Sequence, residues 1–114
     1  MYLANHQLIE LYQCDKGILE NSDYVRKTFK EAVRQSNATV VAEKYHNFSP
    51  FGLTGVAVIT ESHISIHTWP EHRYVAIDVF SCDDKINHKL ILDYLKVNFF
   101  SKKVKTKSIK RGKV

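Results

Sequence analysis

The chain has 114 residues, 44% hydrophobic and 25% charged, with a formal net charge of +5 and two cysteines. Those values exclude a disordered polar chain and a disulfide-stapled miniprotein, and no apolar run approaches the ~20 residues of a membrane span. They fit a single domain over residues 1–114 with a modest core. Met1–His6 carries neither the basic nor the apolar region of a signal peptide, so a cytoplasmic protein is expected.

In chain order, residues 7–13 read as a strand. Val25, Phe29, Ala32 and Val33 then recur at the spacing of one helix face, with Ser22 as the expected N-cap and Asn37 as the expected stop. Residues 38–46 read as a strand, and Asn47–Gly52 as a loop by its Pro and Gly. Three more strands are expected at about 54–60, 62–68 and 73–81, the last two separated by a turn at Trp69–His72. Asp84 is the expected cap of a second helix, whose apolar face is Ile86, Leu90, Ile91, Tyr94 and Leu95. Residues 102–114 hold seven basic side chains and no acid, leaving ten basic against twelve acidic side chains elsewhere. Lys103, Lys105 and Lys107 alternate with Val104, Thr106 and Ser108, which reads as an edge strand guarded by lysines. No aromatic residue interleaves with them, so a nucleic-acid surface is not expected. The order β-α-β-β-β-β-α-β predicts an α+β two-layer sandwich: a largely antiparallel sheet with two helices on one face.

The densest chemistry lies in Glu61-Ser62-His63-Ile64-Ser65-Ile66-His67-Thr68-Trp69-Pro70-Glu71, with Cys82 at the end of the next strand. Serine, histidine and cysteine supply a nucleophile, a base and an acid. His63, His67, His72 and Cys82 match no common zinc spacing, so no metal is expected. Parity sharpens the reading. Side chains alternate along a strand, so Ser62, Ile64 and Ile66 are expected on one face and His63, Ser65 and His67 on the other. Ser62 and His67 lie about 17 Å apart along an extended strand. If they act together, they act across a two-fold interface.

The run from Glu61 to Glu71, followed by Ala76–Cys82, resembles the processing site of prokaryotic S-adenosylmethionine decarboxylases. So do His6–Leu8, Tyr12–Asp15, Asn37–Val41, Phe48–Val56 and Lys110–Gly112. The resemblance implies a proenzyme that cuts itself between Glu61 and Ser62 into chains 1–61 and 62–114. Ser62 attacks the Glu61 carbonyl, and His67 assists elimination of the resulting ester. Ser62 is thereby converted to a covalent pyruvoyl group, which forms a Schiff base with the substrate amine and so serves as the only cofactor. Cys82 is implied as the proton donor in turnover, Thr54 as a processing aid, Phe48 as an adenine platform and Glu71 as the ribose ligand. A homodimer of cleaved protomers is implied, in a four-layer αββα arrangement with shared sites. The product would be decarboxylated S-adenosylmethionine, an aminopropyl donor for polyamine (spermidine) synthesis.

Two departures stand out. Thr54 replaces a common serine, and His72-Arg73 replaces a commoner Tyr-Gly-like pair. Two other readings stay open: a pyruvoyl-dependent arginine or ornithine decarboxylase on the same scaffold, and a non-catalytic binding module with a decayed site. The second is weakened by the presence of Ser62, His67 and Cys82 together.

Overall fold

In the computed structural model, which describes residues 1–82 and 84–114, the chain runs β1 (Tyr2–Tyr12), α1 (Lys16–Glu20), α2 (Ser22–Gln35), β2 (Val40–Asn47), β3 (Leu53–Ile59) and β4 (Ser62–Trp69). A 3-10 turn (Pro70–His72), β5 (Tyr74–Ser81), α3 (His88–Asn98) and β6 (Lys103–Lys113) follow. The strands form one six-stranded antiparallel sheet in the order β2-β3-β4-β5-β1-β6. The α+β class and the antiparallel sheet agree with the sequence reading. A five-residue helix, α1, adds a third helix that the periodicity is too short to reveal.

Alternation within the strands decides which face is covered. Ile9 and Leu11 of β1, Leu53, Ala57 and Ile59 of β3, Ile64 and Ile66 of β4, and Val75, Ile77 and Val79 of β5 are all buried. They meet the apolar stripes of α2 (Val25, Phe29, Ala32, Val33) and α3 (Ile91, Leu95). Each such large side chain contributes about 1.5–3 kcal/mol on burial, which fixes the register, because a one-residue slip would turn the whole set to solvent. The alternate residues (Thr54, Val56 and Val58 of β3, Ser65 and His67 of β4, Ala76 and Asp78 of β5) form a second face that is half-buried or exposed.

The helix starts differ from the expected caps. Asn21, not Ser22, caps α2, its Oδ1 accepting from Tyr24 N at 3.1 Å. Asn87, not Asp84, caps α3, accepting from Leu90 N at 3.0 Å. In each case an asparagine lies three residues before the first hydrogen-bonded amide, where a short acceptor reaches best. Asp15 does the same for α1. Asn37 sits just past α2 with φ 71, the left-handed geometry of a helix stop.

At the end of the 3-10 turn Arg73 has φ 53, where glycine is the unstrained choice. Its Nε donates to the Cys14 carbonyl at 2.6 Å, and Cys14 N donates to Arg73 O at 3.0 Å. The departure at position 73 thus exchanges backbone ease for a link between the β4–β5 corner and the end of β1. β6 pairs with β1 from Tyr2↔Lys113 to Tyr12↔Lys103 and forms one edge of the sheet, as the alternating lysines suggest.

Candidate active site

At the start of β4 the backbone is unusual. Ser62 has φ 146, a region L-residues rarely adopt, so the regular alternation begins only at His63. Ser62 pairs with Ile59 of β3 and Ser81 of β5. The residue before it is held at both ends. The Glu61 carbonyl accepts from Cys82 N at 3.0 Å and from the Cys82 thiol at 3.1 Å. The Glu61 side chain is buried, 5% exposed, with Oε1 accepting from Thr39 N at 3.2 Å. Oε2 accepts from Thr60 Oγ1 at 2.7 Å and meets Lys85 Nζ at 2.5 Å. The Lys85 ammonium and then the Thr60 hydroxyl hold the carboxyl down to about 2, against an opposing effect of burial.

Cys82 is exposed, whereas Cys14 is fully buried and burial pushes its thiol up to about 11. Of the two cysteines, only Cys82 is placed for chemistry. It opens into a cleft of about 490 Å3 shared with Asn5, Ser81, His88 and Lys110.

The other end of β4 gathers a different set. Thr54 of β3 and His67 of β4 are register partners, and Thr54 Oγ1 lies 3.1 Å from His67 Nδ1. Phe48, Phe51, Trp69 and Glu71 join them around a cleft of about 270 Å3. Phe48 and Trp69 are exposed rings. Phe48 is braced edge-on by His46, at 4.7 Å between ring centroids and an interplanar angle of 79°. Trp69 belongs to the strand, and its ring stacks on Tyr74 at 5.5 Å and through it reaches Tyr12.

Between the two ends the open face carries its own polar cluster. Asp78 accepts from Ser65 Oγ at 3.2 Å and contacts His6 Nε2 at 3.1 Å, while His63 stacks on Phe80.

The expected site residues therefore fall into two groups. Glu61, Ser62 and Cys82 meet at one end of β4. Thr54, His67, Phe48 and Glu71 meet at the other. Five positions of continuous strand, about 17 Å, separate Ser62 from His67. Sequence reasoning missed Lys85, the Thr39 and Thr60 partners of Glu61, and the inclusion of Trp69 and Phe51 in the second cleft. Trp69 was legible in principle, since it continues the odd-numbered face of His63, Ser65 and His67.

The geometry defines a class: a six-stranded α+β sandwich with a strained Glu-Ser junction at the head of a central strand. The family model described as S-adenosylmethionine decarboxylase matches residues 5–112. An S-adenosylmethionine decarboxylase proenzyme of Acidithiobacillus ferrooxidans is 44% identical over 115 residues, covering 100% of this chain and 86% of that protein. One of Clostridium botulinum is 42% identical over 113 residues, covering 99% and 97%. The crystal structure of the adenosylmethionine decarboxylase of Aquifex aeolicus superposes with a TM-score of 0.89 at 34% identity, covering 99% of this chain and 93% of that one. The chain belongs to the S-adenosylmethionine decarboxylase family, a family of enzymes whose relatives here carry the name proenzyme.

Proposed function

We propose that this chain cuts itself between Glu61 and Ser62 and then decarboxylates S-adenosylmethionine at a site shared by two copies. The observation that carries the reading is the Glu61–Ser62 junction: a carbonyl held by an amide and a thiol, followed by a serine with φ 146.

The two Cys82 donors polarise the carbonyl that the Ser62 hydroxyl must attack and stabilise the oxygen as it gains charge. The strain at Ser62 is relieved as the peptide C–N bond breaks and an ester forms. A base then removes the proton on Cα of residue 62, and the Cβ–O bond breaks. Glu61 leaves as a carboxylate, and water releases the former amide nitrogen as ammonia. His67 of a second copy is that base. Thr54 ties its Nδ1, which leaves Nε2 for proton transfer.

The pyruvoyl group that residue 62 would become would supply an electrophilic carbonyl to the substrate amine, an electron sink for the pair left on the α carbon when CO2 departs. Cys82, adjacent to residue 62 and exposed, gives a proton to the product carbon. Phe48 offers an exposed ring to an adenine, and Glu71 beside it offers a carboxylate to ribose hydroxyls. Both line the His67 cleft, so a substrate held there reaches residue 62 only in another protomer. A two-fold pairing of the open sheet faces puts the two half-sites together twice, giving four layers, αββα.

The test is intact-mass measurement of the purified protein, then CO2 release with S-adenosylmethionine, arginine and ornithine as separate substrates. The reading expects fragments 1–61 and 62–114 and release from S-adenosylmethionine. An active protein made only of uncut chain would falsify self-cleavage. Release from arginine or ornithine alone would keep the chemistry and replace the substrate.

A further inference from the structure

The strain at Ser62 needs an anchor. A residue stays in a rarely populated backbone region only when its surroundings leave it no room to relax. On the β5 side, Cys82 grips the Glu61 carbonyl. On the other side, the grip is on the Glu61 side chain. Three donors converge on that carboxylate: Thr39 N and Thr60 Oγ1, from the β2–β3 side, and Lys85 Nζ, from the segment between β5 and α3. Lys85 carries the one formal positive charge among these donors. It is also the one tied to the segment that follows Cys82, so it closes a loop: Cys82 to the Glu61 carbonyl, through the Glu61 side chain, and back by Lys85 to the segment three residues beyond Cys82. Lys85 lies between the motif runs Ala76–Cys82 and Lys110–Gly112, within the residues 5–112 that the family model matches.

We propose that Lys85 is a positioning residue for self-cleavage: by pinning the buried Glu61 carboxylate, it keeps the Glu61 carbonyl on Cys82 and prevents Ser62 from relaxing before it attacks. The inference rests on the reading that the chain cuts between Glu61 and Ser62. Lys85 reaches the scissile junction through the Glu61 carboxylate that it contacts. Its side chain is 45% exposed, so its removal leaves the packed core intact.

The experiment follows first-order cleavage of freshly translated full-length chain by mass. Lys85→Ala should cleave about tenfold more slowly than the parent, while Lys85→Arg, which keeps the charge, should stay within about twofold. In a Glu61→Gln background, Lys85→Ala should cause no further slowing, because the carboxylate it acts on is gone. Raised salt should slow the parent more than Lys85→Ala, since the pair is partly exposed and screened. A general structural role would instead slow cleavage equally in both Glu61 backgrounds, which overturns the proposal. So would a Lys85→Ala chain that cleaves as fast as the parent. A parent chain that never cuts between 61 and 62 would sink the reading of the site itself, and this inference with it.

Discussion

At the Ser62 end, β4 begins on a positive φ, a buried carboxylate and a carbonyl gripped by two donors; at the His67 end, it finishes on exposed rings and an imidazole tied to one hydroxyl. The first end is tight and strained, as the self-cleavage proposed for it requires. The second is an open cleft lined by Phe48, Phe51, Trp69 and Glu71. One strand carries both, and its stiffness is what keeps them apart in a single copy. If the two ends act together, a rigid spacer of this length leaves them only a second protomer in which to meet.

The sharpest way to break that comparison is to mix two crippled chains. Ser62→Ala loses the nucleophile and should remain a single uncut chain by intact mass. His67→Ala keeps it but lacks the base. In a mixed dimer one site has both residues and the other has neither, so cleavage should return in the His67→Ala chain only. If demonstrably mixed dimers stay uncut, the two ends do not serve each other across copies.

Cys82→Ala should come next in size. Cut protein should decarboxylate about 100-fold or more slowly, the usual scale for losing a positioned proton donor. Cleavage should slow less, because the Cys82 amide still holds the Glu61 carbonyl. Comparable losses in both steps would mean that the thiol works mainly on the carbonyl.

A third outcome concerns acid. Glu61 is held down to about 2 in the folded chain, below the roughly 4.3 of a free glutamate. A lowered folded-state value gives stability that is present above about 4.3 and lost as pH falls through about 2. In uncut Ser62→Ala protein, denaturant midpoints with and without Glu61→Gln should differ at neutral pH and converge on acidification from pH 5 to 2. A gap that does not change with pH would mean that the carboxylate charge is not what anchors this end.

The smallest effect is expected at Arg73→Gly. It relieves a left-handed residue, gaining about 1 kcal/mol, and loses the donor to Cys14 O, costing about 1 kcal/mol. The midpoint of unfolding should move by no more than that. A loss of 3 kcal/mol would show that the corner beside the His67 cleft depends on the guanidinium.

Much of this was legible from residues alone, for a physical reason. Burial on one face writes a period of two into Ile64, Ile66 and their neighbours, and a period of 3.6 into Val25, Phe29, Ala32 and Val33, so sheet, helices and the two faces of β4 could be read directly. The caps were misplaced by one and three residues because Asn, Ser and Asp are near-equal acceptors, and only the backbone path selects among Asn21 and Ser22 or Asn87 and Asp84. The grip on Glu61 was invisible. Thr39, Cys82 and Lys85 reach it from separate parts of the chain and Thr60 from the neighbouring position, and no local pattern encodes a convergence of that kind.

The strand order β2-β3-β4-β5-β1-β6 bears on what a severed backbone would do. A cut after Glu61 leaves β1, β2 and β3 on one piece and β4, β5 and β6 on the other. Yet β1 is threaded between β5 and β6, so the pieces interlace like fingers of two hands. To part, they would have to unzip three junctions, β3 with β4, β5 with β1, and β1 with β6, and open the common core as well. Each piece keeps one native pair, β2 with β3 or β4 with β5, but β1 and β6 find their places only across the two, so a cut here would have to follow the weaving. Once snipped, it has no easy way to unravel.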